Sequence, residues 1–557
     1  MKTVSMRKLI WWIQVLPIVA FVVSGMTAWA EEPAWDEEIP AEVAEVGPPT
    51  FTNAVLLDKP PILKAEKIKE LEYWQENTHL PGPMLADREQ DPAYLYDASS
   101  APADGTESVL ADKSMAPGDE TLLVKVQFNK AIPNKRQSNV MESSVGTGGK
   151  YVFYTGNWFA ARSSNGGKDA DGFKYIDPVE GFQDFCCDQV AIYDASRDRH
   201  FWLRMGLPNS AGQNKFKLSV SKNGMIEFWT YTFKSQTLFE GEWFDYPHIQ
   251  LGADYLYLSW NMFNVNGFWQ RTVMLRLPLD EMAAGDSFSF SYFWDTEWFT
   301  FVPVQGAKHT MYWASNWGPG TPGTAFRIYR WDEDSGIISI YNRTLNASFN
   351  FTGRGQAQCG SSSGNWAARY DSRILTGARY SIMASNRKEY GRKVLGWWWN
   401  VGQGGDFSYP YIEAAAFYED NLQQVSGVQG RPLVWNPSNC FAYPSATPNK
   451  RQDLAIIFHY GEGPQEVPAI GYAIADDFIN APPGWSFYNV LTSKARPADN
   501  VWGDYNTLRE FEPAQELWVG ASHYIRKNED CTRCSNPVYF VFGRERDMNN
   551  YKRWRRK

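Results

Sequence analysis

KYVFYTGNW (150–158) is the first of seven versions of one strand. It returns as HFWLRMG from His200, YLYLSWNMF from Tyr255, HTMYWASNW from His309, RYSIMASN from Arg379, LAIIFHYG from Leu454 and ELWVGASHY from Glu516. Successive starts lie 50, 55, 54, 70, 75 and 62 residues apart, which leaves room for four short strands and their turns, with insertions in the later copies. A period of this length, in a chain of aromatic and β-branched runs cut by Gly, Asn, Asp and Pro, reads as small sheets repeated about an axis. The expectation is an all-β fold: a single large β-propeller over 121–545, with about seven four-stranded blades whose second strands are these segments. Long helical patterns are nearly absent, against α/β barrels and doubly wound sheets. Trp, Tyr and Phe make up 16% of the chain, and each ring buried between stacked sheets removes roughly 150–250 Å² from water. In Trp397-Trp398-Trp399 only alternate members can share a sheet face.

The flanks read differently. Residues 1–30 carry Lys2, Arg7 and Lys8, an apolar run from Leu9 to Val23 and the small-residue site Ala28-Trp29-Ala30, the layout of a cleaved signal peptide. The apolar run is too short to span a bilayer, and no later stretch has 18 uncharged apolar residues, so no transmembrane segment is expected in an exported, periplasmic or extracellular mature chain. Residues 31–120 are expected to be an acidic linker and irregular extension: 31–50 hold seven acidic residues and no Lys or Arg, a composition read as flexible, and 62–76 as one short helix. Residues 546–557 are a basic tail, a solvated end or a contact for an anionic surface. The net charge of −9 becomes more negative without the leader's three cations, which argues against a nucleic-acid partner.

Six cysteines follow the leader: Cys186, Cys187, Cys359, Cys440, Cys531 and Cys534. An even number in an oxidising compartment suggests disulfides. Cys531 and Cys534 suit a local bond rather than half a zinc site, since no second CxxC or paired His follows, and Cys359 and Cys440 remain as a possible long-range pair. Cys186-Cys187 can close a vicinal ring, a rigid apolar plate for a planar ligand or sugar; two buried thiols, or one long bridge and a free thiol, are the alternatives. Ahead of the recurring strand an Asp or Asn opens a short strand: Asn139, Asp188, Asp245, Asp371, Asn439 and Asp504, with none near Phe301 in the fourth repeat. First strands of blades line the channel, so these side chains either converge at one mouth or bond their own turns. Four converging carboxylates, Asp188, Asp245, Asp371 and Asp504, would be candidate catalytic groups. Their repulsion would need relief from a calcium ion, from an arginine such as Arg373 or from raised pKa values. Trp158, Gln189, Tyr246, Trp502 and Tyr505 are candidate binding residues beside them. Walker, HExxH and GxSxG patterns are absent. His200, His309, His459 and His523 fall within strands, where packing roles are expected, while His248 lies nearest a suspected mouth residue.

Ser163-Ser164-Asn165-Gly166-Gly167 resembles the opening of the Asp box, S-x-D-x-G-x-[ST]-W, of sialidase-like propellers, a hairpin turn held by its own side chains; here Asn165 replaces Asp and Lys168 to Gly172 precede Phe173. FCCDQVAIYDASRDRHFWLRMG (185–206), WFDYPHIQLGADYLYLSWNMF (243–263), WGDYNTL (502–508) and GNWFAARSSNGG (156–167) resemble segments of secreted bacterial propeller proteins related to the sialidase and BNR-repeat superfamily, over roughly 130–530. The resemblance implies a propeller fold and an extracytoplasmic location. The Phe-Arg-Ile-Pro segment of sialidases has no counterpart near the start, and Phe326-Arg327-Ile328-Tyr329 lies far downstream, so sialidase activity itself is not expected. A vicinal disulfide also resembles the one beneath the quinone of quinoprotein alcohol dehydrogenases, whose repeated tryptophan-docking motifs are missing here. Three functions remain: a propeller that binds a glycan or ion at its channel mouth, a glycoside hydrolase or lyase using paired channel carboxylates, or a structural, adhesive envelope protein.

Overall fold

The computed structural model describes residues 36–59, 78–81, 121–127, 141–168, 172–361, 364–383, 390–462, 467–475, 487–497, 502–526 and 534–547. The chain opens on short strands β1 (Glu37–Pro40), β2 (Glu42–Val46), β3 (Thr50–Asn53), β4 (Leu56–Leu57) and β5 (Thr121–Gln127). Antiparallel meanders then follow one another. The first is β6 (Ser144–Gly148), β7 (Tyr151–Thr155), β8 (Ala160–Ser163) and β9 (Phe173–Ile176). The second is β10 (Val190–Asp194), β11 (Arg199–Met205), β12 (Lys215–Asn223) and β13 (Glu227–Lys234); the third is β14 (Glu242–Leu251), β15 (Tyr255–Asn264), β16 (Trp269–Pro278) and β17 (Phe288–Asp295). The fourth is β18 (Val302–Gln305), β19 (Thr310–Ser315), β20 (Ala325–Asp332) and β21 (Ile337–Thr344), and β22 (Ile374–Met383), β23 (Tyr390–Val401) and β24 (Tyr411–Tyr418) come next. The last two are β25 (Asn439–Pro448), β26 (Leu454–Glu462), β27 (Ala469–Ala475) and β28 (Phe487–Thr492), then β29 (Thr507–Glu510), β30 (Trp518–Arg526) and β31 (Cys534–Arg544).

Hydrogen bonding gathers these strands into six sheets. The largest, of eight strands, is two meanders joined where β18 runs parallel to β22, Val304 opposite Gly377. The first strands β6, β10, β14, β18, β22, β25 and β29 touch in that order, and β29 touches β6. A closed ring of inner strands, each starting an outward meander, is the architecture of a β-propeller. Because each sheet is covered on both faces by its neighbours, its strands are apolar throughout rather than alternating: eight of the ten residues of β15 are buried. The tryptophan triplet of β23 follows the period of two. Trp397 and Trp399 pack into the cluster shared with β19 and β20, and Trp398 into the one shared with β25 and β26.

The opening strands correct the flexible-linker reading of 31–50. β1, β2, β3 and β4 add outer strands to β21, β17, β13 and β9 in turn, so the segment runs backwards around the ring as a strap. Composition misleads here because the strap needs no core of its own; it borrows preformed sheet edges, and its acidic groups serve the docking. Asp36 accepts the Asn342 amide at 2.6 Å, and Glu42 accepts Tyr292 Oη and, at 3.2 Å, Trp294 Nε1. β5 then pairs with β31, so the two ends of the domain share one sheet. The expected signal peptide (1–30), the helix at 62–76 and residues 548–557 of the basic tail lie outside the described residues.

Six of the recurring segments fall on second strands, β7, β11, β15, β19, β26 and β30. The copy at Arg379 does not: it lies in β22, a first strand. The insertion between β21 and β22 lengthens the spacing there, and the meander that β22 starts has three strands among the described residues. Cys359 in that insertion is bonded to Cys440 on β25. Cys186 and Cys187 form the vicinal ring. The expected bond between Cys531 and Cys534 falls outside what is described, because Cys531 is not among those residues. The turn after β8 is the expected Asp-box-like turn: Ser163 Oγ donates to Asn165 Oδ1 at 2.7 Å and accepts the Gly167 amide at 2.9 Å, with Gly166 and Gly167 at φ 76° and 63°.

Candidate functional site

One backbone device recurs where the chain enters the inner strands. Glu142, Asp188, Tyr246, Thr300 and Tyr443 all have positive φ, 41°, 44°, 56°, 60° and 55°. Each stands two residues before its inner ladder begins at Ser144, Val190, His248, Val302 or Ser445; in β14 and β25 the ladder restarts there after a bulge. Left-handed backbone is unfavourable for residues with a Cβ, so five instances in register mark a site that the fold sustains at a cost. The same count refines the expected ring of aspartates. Asp245, Asp371 and Asp504 stand three residues before their ladders, whereas Asp188 stands two before and has Glu142 as its counterpart. Asn439 does not belong: it starts β25, six residues before the ladder restarts, and bonds Asn436 instead. Asn139 lies outside the described residues.

Glu142, Asp188, Asp245 and Asp504 line one cleft of about 110 Å³ with Tyr246, Arg354, Arg369 and Arg373. Asp371 lies immediately behind it, 1% exposed, with its Oδ1 3.1 Å from Arg373 Nε and its Oδ2 3.5 Å from Arg354 Nε. Asp504 is held by the same two arginines, 3.8 Å from Arg373 Nη2 and 4.0 Å from Arg354 Nη2. The Arg373 guanidinium lies 4.0 Å from the centre of the Tyr246 ring. Burial works against its charge, but Asp371, Tyr246, Asp504 and Asp245 outweigh burial and raise its pKa. The opposite wall is apolar: the Cys186–Cys187 plate with Met205, Leu207, Trp243 and Phe263.

The remaining carboxyls are not neutralised by arginine, and protons relieve them instead. Burial first, then the Asp188 charge, pushes the Glu142 pKa well up, and Glu142 is in hydrogen-bonding contact with Asp188. Burial raises Asp188 as well, while the bond with Glu142 opposes the rise. The two carboxyls form a buried pair in which both pKa values rise, and the Asp188 backbone N–H is fixed by Asn157 Oδ1 at 2.7 Å. Asp245 is pushed up to about 7 by burial and by Asp188, against Arg373. Two of the three expected ways to relieve the repulsion are thus present, arginines and raised pKa values. Among the described residues, the His, Cys, Asp and Glu side chains that converge closely enough to share a metal are Asp254, His309 and Glu333, outside this cleft.

No family model matches the chain, and no curated protein matches it in sequence. Among solved structures, it is similar to an α-L-arabinofuranosidase of Fusarium graminearum in complex with arabinobiose, at 10% identity and a TM-score of 0.36 over 75% of this chain and 97% of the other. An α-L-arabinanase of Penicillium chrysogenum, also with arabinobiose, matches at 9% identity and 0.34 over 75% and 98%, and a Trypanosoma rangeli sialidase with sialic acid at 9% and 0.34 over 66% and 60%. These are distant likenesses. The chemistry of the mouth is read from its own residues.

Several expected binding residues do not line this cleft. Gln189 donates Nε2 to the carbonyls of Gly156 (2.8 Å) and Phe159 (3.0 Å) and accepts Trp202 Nε1 at 2.8 Å, which leaves it nothing for a ligand. Trp158 is buried in the cluster behind the disulfide. Trp502 is 1% exposed, with its ring 4.7 Å from His459 and 4.4 Å from His523. Tyr505 lines the channel below the mouth, its ring 6.2 Å from Tyr246 and its hydroxyl buried without a partner. Glu142, Arg354 and Arg369 were not anticipated. Glu142 escapes a search for Asp or Asn, and Arg354 and Arg369 come from the insertion, where no repeat position exists to flag them.

Proposed function

We propose that the chain is an exported, seven-bladed β-propeller whose channel mouth binds a carbohydrate and cleaves its glycosidic bond by acid–base chemistry. The observation that carries the reading is the clustering of carboxyls in unlike environments in one cleft: Asp245, with its pKa pushed up to about 7, beside the hydrogen-bonded pair of Glu142 and Asp188. Environments that push neighbouring carboxyls apart in pKa are how one site supplies both an acid and a base. Asp245 donates its proton to the glycosidic oxygen as the C–O bond breaks. Water adds to the anomeric carbon and gives its proton to Asp188. Arg373 and Arg354, anchored from behind by Asp371, hold Asp504 as a fixed acceptor for sugar hydroxyls, and the Cys186–Cys187 plate meets the apolar face of the ring. Two disulfides support an oxidising location. No helix among the described residues is long and apolar enough to cross a membrane.

The test is release of reducing sugar from a panel of plant, fungal and bacterial polysaccharides. Asp245→Asn and Asp188→Asn should each lower turnover roughly 10²–10⁴-fold while calorimetric binding of the same oligosaccharide survives. A second reading, a mouth that holds the sugar without cutting it, is favoured by the pairing of Asp504 with two arginines, which makes it a rigid acceptor. It is the outcome if binding is found, turnover is absent and Asp504→Ala abolishes binding. Clean panels for both binding and cleavage would remove the carbohydrate reading.

A further inference from the structure

Below the mouth the inner strands enclose a second cavity of about 60 Å³, lined among others by His248, Gln305, Thr376, Ser445 and Arg509. Arg509, on β29, donates Nη1 to Gln305 Oε1 at 3.0 Å, and its Nε is sealed from solvent with no hydrogen-bond partner. Among the described residues no carboxylate forms an ion pair with it, in contrast to Arg354 and Arg373 just above. Burial lowers its pKa to about 10, and no neighbouring acid acts to raise it. His248, on β14, faces the same cavity with Nε2 also sealed and unpartnered, and burial, Arg373 and Arg509 keep its ring neutral. Arg509 and His248 are each half-buried, but a guanidinium N–H sealed from water without an acceptor is costly, and an unpartnered ring nitrogen beside it adds to that cost. A guanidinium N–H without an acceptor, beside an imidazole nitrogen that donates in its Nε2–H tautomer, calls for a negative ion between them.

We propose that a small inorganic anion, chloride in the physiological case, occupies the channel cavity, held by Arg509 Nε and His248 Nε2. Its place beneath the mouth, along the inner strands, separates it from the carbohydrate site. The anion completes the charge balance of the inner ring: arginine–aspartate pairs at the mouth and an arginine–halide pair below. It is a structural ligand, so its presence is read from stability and scattering rather than turnover.

Crystals of the full chain grown in sodium bromide should show an anomalous peak between Arg509 and His248. In solution, melting is compared in sodium chloride or bromide and in sodium gluconate at equal ionic strength. The halide should raise the melting temperature by about 1 °C for each tenfold increase above its dissociation constant, and Arg509→Gln, which keeps the shape and removes the charge, should abolish the difference. If Arg509→Gln does not fold, the wild-type comparison and the scattering still decide. No channel peak at saturating bromide, bromide at surface positions only, or identical melting in halide and gluconate would overturn the proposal and leave ordered water as the filling.

Discussion

Asp245 couples function to stability through one proton. Its pKa rises from the ordinary carboxylate value to about 7 in the fold, so its contribution to stability is full below about pH 4 and is lost as pH rises through 7. At pH 8 the buried charge is a net cost. Asp245→Asn should therefore raise the melting temperature at pH 8, leave it nearly unchanged at pH 4 and remove the alkaline limb of any activity profile; equal melting of the two proteins at pH 8 would contradict this. The buried histidines act in the opposite sense. Burial holds His200, His248 and His459 down at about 3, and His523 also well below its ordinary value. These rings stay neutral in the fold but charge near 6.5 when unfolded, so their support is complete above that pH and drains away between about 6.5 and 3. Urea midpoints should fall steeply from pH 6.5 to pH 4, and His459→Gln should flatten that slope. At this scale the sequence was half legible. Four aspartates were readable from their spacing, and three share one position. Glu142, the carboxyl in contact with Asp188, was hidden because only the left-handed backbone identifies it as the counterpart of Asp188.

At the scale of elements, inner and second strands were legible because their apolar period is set by packing on both faces, which leaves a mark in the side chains. The strap was not, since its hold is largely backbone pairing to edges that other residues build, and backbone hydrogen bonds leave no mark in composition. Val43 and Phe51 are even turned to solvent. Removing residues 31–59 should therefore spare the inner ring and the mouth while uncovering the outer edges of β21, β17, β13 and β9. Expected outcomes are a lower melting temperature, retained ligand binding and concentration-dependent association seen by light scattering. A shortened protein that stays monomeric at high concentration would show that the strap protects nothing. The insertion before β22 was the other illegible element. It displaced the fifth repeat by one strand, and the same segment delivers Arg354, Arg369 and Arg373 to the mouth, with Asp371 buried against Arg354 and Arg373, and is anchored to β25 by the Cys359–Cys440 bond.

The whole molecule is a ring closed by its own two ends. β31 near the C-terminus takes its outer neighbour β5 from the N-terminal side, and the inner strand β29 touches β6. A ring has no weakest terminal unit to fray first, so calorimetry should give a single transition, and truncation after residue 526, which removes β31 and strands β5, should abolish folding rather than shave stability. Two separate transitions in the intact chain would contradict a mechanically closed ring. The strap adds a matter of timing. Its strands are the first part of the domain to be synthesised, yet β1 finds its partner only when residue 340 has been made, and β5 only when the chain has reached residues 538–544. Delivery and assembly thus run in opposite directions: the earliest residues wait, unpaired, for the latest. A ribosome that stops early releases a product that still carries unclaimed edges, the kind of surface that proteases and chaperones act on, whereas a finished chain covers them itself. The clasp is in this sense a receipt for a complete chain, issued only when both ends are present.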